Sequence, residues 1–304
     1  MRLSRLFSGV SRTSQTKAYP QPTSHELPSI GQALDASRLS RSFQHVFTGA
    51  PDIYNPTSNP SGRFGTTFVN RWRTKTEERG YYADQYVGHN PFAWDAAEQA
   101  VSIEMRPLTT TIKNAIQATG ETVDTAATPM VTGLLNTAPS FSQKWGVFEI
   151  VAKNPPNPSS YGGVWFARWL TGSIWPPEID LSETPIASPT ADSRNAHSGD
   201  VDVAGGTYAV TNYIQHGPAV ASGIDLSSRF VRHSVLWTNK GLVFYRDRVE
   251  VGRFLNLPAN FNTPLWFIAS LQAGQPAQDS WLGALNTSMN PVKAYLREFT
   301  AYSL

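Results

Sequence analysis

Apolar residues in this chain come in short runs closed off by Gly, Pro, Asn and Ser, not in helical stripes. Trp145–Ala152, Val164–Leu170, Ser234–Trp237, Leu242–Tyr245 and Leu265–Leu271 each have the length and apolar character of a strand. From His233 to Phe254 the pattern predicts a strand, a turn at Asn239-Lys240-Gly241, a returning strand and a second turn near Asp247-Arg248. Only Thr111–Thr119 has helical character; it is short and followed by Gly120. Residues 106–130, rich in Thr and Ala, read as a long surface loop or insertion. No repeat of the solenoid or propeller kind is present. Many short strands over about 250 residues predict an all-β sandwich or barrel.

Composition narrows the chemistry. With no cysteine among 304 residues, a disulfide framework, a thiolate metal site and a cysteine nucleophile are all excluded. Lys and Arg number 25 against 23 Asp and Glu, so net charge gives no reason to expect a nucleic-acid partner. The 9 Trp, 15 Phe and 11 Tyr are a surplus that a core alone need not absorb. At the N-terminus, Arg2, Arg5, Arg12 and Lys17 precede the first acid, Glu26, in a Ser/Thr/Pro-rich setting. Residues 1–40 are therefore expected to be a flexible basic tail, with one domain over 41–304. Leu6–Val10 is too short and too polar for the apolar region of a secretory signal. No window approaches the ~20 apolar residues of a membrane-spanning helix, so membrane insertion is not expected.

The chemistry concentrates in Trp175-Pro176-Pro177-Glu178-Ile179-Asp180-Leu181-Ser182-Glu183. On a regular strand Glu178 and Asp180 share one face while Ile179 and Leu181 share the other. Glu183 is out of phase by one residue, and a single-residue bulge near Ser182 would return it to the face of the other two acids. Carboxylates crowded on one face repel, which raises at least one pKa toward neutrality. A protonated acid beside an ionised carboxylate is what glycoside hydrolysis requires, with the two groups about 5–5.5 Å apart in the retaining form. The bare pattern also suits a solvated strand face or a calcium site.

This stretch resembles glycoside hydrolase family 16, whose signature is Glu-x-Asp-x-Glu or the bulged Glu-x-Asp-x-x-Glu; Glu178 to Glu183 match the bulged form. The resemblance extends to Thr132–Leu135, Phe141–Glu149, Gly163–Leu170, Asn195–Gly199, Val235–Trp237, Ser270–Gly274, Trp281–Gly283 and Ala294–Phe299, in that order. Phe166 and Arg168 depart from the family pattern, which has Pro and Phe there. The resemblance implies a concanavalin-like β-jelly-roll sandwich of two curved antiparallel sheets with an open concave cleft. It implies Glu178 as nucleophile, Asp180 as its assisting partner and Glu183 as general acid/base of a retaining endo-β-glycosidase acting on a β-1,3/1,4-glucan or a bacterial exopolysaccharide.

By the same resemblance Trp169 and Trp175 line the subsite beside the nucleophile, and His197 contacts the sugar or the carboxylates. Trp281 lies among Gly, Gln, Asp and Ser, as a loop residue edging the cleft would. Indoles stack on the C–H faces of sugars, while plain core packing is the competing use of each tryptophan. Arg168 is the cation placed to meet an acidic or acylated polymer. No metal ligands are assigned at the site and no cofactor is required; a structural calcium on the convex face is compatible, without ligands that can be mapped. The expected partner is a polysaccharide, the expected state a monomer, and the expected location extracellular or cell-surface without a recognisable signal peptide. A non-catalytic carbohydrate-binding protein on the same fold, or a transglycosylase, are the alternatives.

Overall fold

The computed structural model describes residues 26–67, 78–124, 126, 128–156, 161–167, 177–185, 190–204, 207–216, 219–221, 223–255, 257, 261, 263–274, 276, 279 and 284–304; for 161–167, 185, 199–204, 207–216 and 219–221 it describes the backbone alone. The strands in chain order are β1 (Ser40–Val46), β2 (Gly80–Tyr82), β3 (Phe92–Asp95), β4 (Ala100–Pro107), β5 (Met130–Thr132), β6 (Leu134–Asn136), β7 (Gly146–Lys153), β8 (Tyr161–Ala167) and β9 (Glu178–Pro185). They continue as β10 (Ala191–Ala204), β11 (Thr207–His216), β12 (Ala219–Ala221), β13 (Val231–Thr238), β14 (Gly241–Arg246), β15 (Val249–Leu255), β16 (Trp266–Gln272) and β17 (Val292–Ser303).

Two sheets result. One has the order β15-β14-β13-β7-β17-β4-β5-β2, with β1 also on β17 and β3 also on β4. The other runs β11-β10-β9-β8-β16-β6, with β12 also on β10. The pairings are antiparallel apart from β2 with β5, which is parallel. This is the expected all-β class, a concanavalin-like β-jelly-roll sandwich.

Alternation decides what each sheet contributes to the space between them. Phe148, Ile150, Val235, Trp237, Leu242, Phe244 and Phe299 from the first sheet pack in one core with Ile179, Leu181, Ala196, Phe267, Ala269 and Leu271 from the second. Ring contacts cross the interface: Phe267 lies 5.0 Å from Phe299 and 5.8 Å from Phe148, centroid to centroid. Part of the aromatic surplus is thus spent on the core. The predicted double hairpin is present, and its second turn places Asp247 and Arg248 at φ of 48° and 66°, the paired left-handed residues that a tight turn between twisted strands needs.

Two expectations change. Residues 106–130 are not a bare loop: α1 (Thr110–Gln117) begins at Thr109, whose hydroxyl accepts the Ile112 N–H, and buries Ile112 and Ile116 against Tyr81, Ala83, Val87 and Val131. Within the span assigned to a tail, residues 26–39 pack on the protein. Leu34 is buried with Val147, Leu236, Val243 and Tyr245, which alternate with the core residues and so lie on the outer face of the first sheet. The Leu34 N–H donates to the Arg248 carbonyl, the Gly31 N–H to Glu250, and the Arg253 guanidinium to the Pro28 carbonyl. Three leucines, at 27, 34 and 39, supply the apolar contact, spaced too widely among polar residues to register as an element.

Candidate active site

The bulge expected from the spacing of the acids is present in β9. Against β8, Ser182 pairs with Val164 but Asp180 pairs with Trp165, so Leu181 has no opposite number. Against β10, Glu183 pairs with Ser193 and Asp180 with Asn195, leaving Leu181 and Ser182 opposite the single residue Arg194. One extra residue on the inner strand reverses the alternation. Ile179 and Leu181 enter the core by ordinary alternation, at 0% and 2% exposure, and the bulge turns Ser182 inward beside Leu181, so that Glu183 as well as Glu178 is partly open.

The register of β10 sets a polar residue opposite each acid: His197 opposite Glu178, Asn195 opposite Asp180, Ser193 opposite Glu183. Directly opposed residues place their side chains on the same side of the sheet. His197 Nε2 stands 3.0 Å from Asp180 Oδ2 and 3.9 Å from Glu178 Oε1. The nearer contact is not aligned as a hydrogen bond, so Asp180 Oδ2 is buried with only an electrostatic neighbour there. Asn195 Nδ2 donates to Glu183 Oε2 at 2.6 Å and to Ser193 Oγ at 3.1 Å.

The electrostatics follow from this crowding. Burial first, and then the Asp180 charge, push the Glu178 carboxyl well above its ordinary range; His197 partly offsets this. Asp180 is likewise pushed well up, by burial and then by Glu183, and is hydrogen-bonded to Glu178. A proton shared across that pair is the outcome. Glu183 is raised by burial and, in smaller part, by the Asp192 charge, against the opposing pull of the Asn195 hydrogen bond and the His197 charge. One ligand atom each of Glu178, Asp180 and His197 lie within 4.8 Å of one another, a spacing that could also hold a cation.

Of the residues predicted for the site, the structure brings together Glu178, Asp180, Glu183 and His197. Arg168, Trp169, Trp175 and Trp281 lie outside the described residues. Asn195 was missed as a contact to the acid trio. Its signal was available once β9 and β10 are paired, because it shares the phase of His197 two residues on.

No family model matches the chain. The endo-1,3-1,4-β-glycanase EglC of Rhizobium meliloti is 27% identical over 275 residues, which are 86% of this chain and 53% of that protein. The endo-1,3-1,4-β-glycanase ExsH of the same organism is 29% identical over 168 residues, 54% of this chain and 33% of that protein. The chain thus spans about half the length of the first relative and a third of the second. Among solved structures, the catalytic domain of an endo-1,3-β-glucanase (laminarinase) from Thermotoga petrophila superposes with a TM-score of 0.63 at 18% identity, covering 87% of this chain and 98% of that one. A non-specific endo-β-1,3(4)-glucanase of glycoside hydrolase family 16, crystallised with a glucan oligosaccharide, gives 0.66 at 17% identity, covering 93% and 100%. The solved structures share the jelly-roll fold that the family resemblance implied.

Proposed function

We propose that the chain is a retaining endo-β-glycosidase that hydrolyses a β-1,3/1,4-linked glucan, or a bacterial exopolysaccharide with such linkages, by double displacement. The observation that carries this reading is the bulge at Leu181–Ser182, which puts Glu183 on the face that Glu178 and Asp180 already occupy. The names of the two rhizobial relatives and of the laminarinase neighbours support the substrate class.

In the first step the Glu178 carboxylate attacks the anomeric carbon as the glycosidic C–O bond breaks. Glu183 gives its proton to the leaving oxygen. In the second step Glu183, now a carboxylate, takes a proton from water; the hydroxide adds to the anomeric carbon and Glu178 departs, regaining its charge. Asp180 carries the shared proton while Glu178 attacks as a carboxylate, and keeps it as a hydrogen bond donated to the Glu178 carbonyl oxygen while Glu178 is esterified. His197 and Asn195 set the charge balance of the trio. No cofactor enters either step, so EDTA should leave turnover unchanged, and a melting temperature lowered by EDTA would reveal a structural calcium.

The test is reducing-end release from laminarin and mixed-linkage β-glucan, with the anomer of the first product read by NMR. Retention is expected, together with a loss of at least ~10³-fold in kcat for Glu178→Gln. Inverted product, or cleavage unaffected by Glu178→Gln, would overturn the reading. Product sizing with an added oligosaccharide acceptor separates hydrolysis from transfer.

A further inference from the structure

Behind the acid trio, on the face of the β9–β10 pair that looks into the sandwich, lies a buried ionic cluster that the reaction does not use. Ser182, the residue that the bulge turns inward, is fully buried and its hydroxyl donates to Asp192 Oδ1 at 2.6 Å. Asp192 is itself 0% exposed. Its other oxygen, Oδ2, accepts from Arg194 Nη2 and from Arg246 Nη2, both at 2.7 Å. Arg194 is the residue opposite the bulge on β10. Arg246 comes from β14, in the other sheet. One carboxylate thus ties together the bulge, the strand beside it and the sheet beneath it.

Such a cluster needs a reason. Buried ion pairs recover little more than the cost of desolvating their charges, and well-packed apolar residues of similar volume would often serve stability as well. What an ionic cluster fixes is geometry, because its hydrogen bonds are satisfied in one arrangement only. The arrangement fixed here is the phase of the bulge. If Ser182 were not held inward, β9 could relax toward regular alternation, and Glu183 would rotate away from the face of Glu178.

Resting on the roles assigned to Glu178 and Glu183 above, we propose that Asp192, acting through the Ser182 hydroxyl, is a positioning residue for the acid/base Glu183. It touches neither substrate nor reacting atoms. It holds the bulged strand in the register that aims the Glu183 carboxyl at the leaving oxygen.

The experiment separates positioning of the acid from general support of the fold. Good leaving groups depart without protonation, whereas the alcohol of a polysaccharide needs the acid. The full chain carrying Ser182→Ala, Asp192→Asn or Glu183→Gln is assayed for kcat/KM, which reports the first displacement, on mixed-linkage glucan and on a 2,4-dinitrophenyl β-glycoside of a short β-glucan. The expected result is a loss of ~10-fold or more on the polysaccharide, with a change under ~2-fold on the activated glycoside, for Ser182→Ala and Asp192→Asn alike, reproducing in milder form the selectivity of Glu183→Gln. Equal losses on both substrates, or no loss on either, would overturn the proposal while Glu183→Gln still showed the selectivity. If Glu183→Gln showed none, the assignment of the acid would fall first and the proposal with it. Asp192→Asn leaves two buried guanidiniums facing a neutral amide; should it not fold, Ser182→Ala decides alone, because it leaves the Asp192 contacts to both arginines in place.

Discussion

Asn195 gives the clearest handle on how single side chains set the chemistry. Its amide hydrogen bond favours the ionised form of Glu183, in opposition to burial, which favours the neutral acid. Replacing Asn195 by Ala removes the lowering influence and leaves burial in place, so the Glu183 pKa should rise further. A general acid with a higher pKa stays protonated to higher pH. The alkaline limb of the kcat/KM profile on β-glucan should therefore move upward in Asn195→Ala, with the acid limb moving less. A limb that stays put or moves down would show that Asn195 does not tune Glu183. Of the residues at this scale, the three acids and His197 were legible in the sequence because they lie within one strand or carry a family motif. Asn195 and Asp192 were not, because each acquires its partner across a strand pairing that no local pattern encodes.

At the scale of elements, the Glu178–Glu183 stretch shows what sequence alone can reach. Its alternation placed Ile179 and Leu181 inward, and the phase of Glu183 demanded a bulge; both are found. The His233–Phe254 double hairpin was legible for the same reason, with period-two strands and turn residues in direct succession. Residues 26–39 were misread as tail because their contacts are to β7, β13 and β14, more than a hundred residues away, and a few leucines among Ser and Pro carry no period. The start of β7 offers a test of how tightly an element is fitted. Gly146 has φ of +123°, and a Cβ there would stand 2.2 Å from the Tyr302 carbonyl oxygen and 2.4 Å from Gln143 Nε2. Gln143 Nε2 in turn donates to the Trp145 and Tyr302 carbonyls. Gly146→Ala meets both a backbone conformation that favours glycine and a contact with backbone that cannot yield. The expected cost is at least ~2 kcal/mol, a fall of several degrees in melting temperature, with the pH profile of the remaining activity unchanged. A melting temperature equal to that of the parent would show that the β7–β17 junction is looser than the contact implies.

Among the described residues, the two sheets of the sandwich meet through apolar side chains over most of their interface and through charge around Asp192. His233, on β13, shares that place with Asp192, Arg194 and Arg246, and Asp247 lies near it as well. Burial, reinforced by the two guanidiniums and opposed by Asp192 and Asp247, pushes the His233 pKa down to about 4. Unfolding returns it to the ordinary value near 6.5. Between those two values the unfolded chain binds the proton and the folded chain does not, so this group contributes stability that is fully present above pH ~6.5 and is lost as the pH falls through about 4. The three carboxyls of Glu178, Asp180 and Glu183 act with the opposite sign. Their pKa values are raised in the folded state, so the folded protein holds their protons at a pH where the unfolded chain has released them, and their contribution improves as the pH falls. A single melting curve would mix the two. They separate in a comparison of the parent with His233→Gln, which keeps the carboxyls and removes the titrating ring. The drop in melting temperature from pH 7 to pH 5 should be larger for the parent than for His233→Gln, whatever offset the substitution itself introduces at pH 7. Equal drops would mean that His233 takes up its proton in the folded state as readily as in the unfolded one, and that the charge between the sheets is open to water.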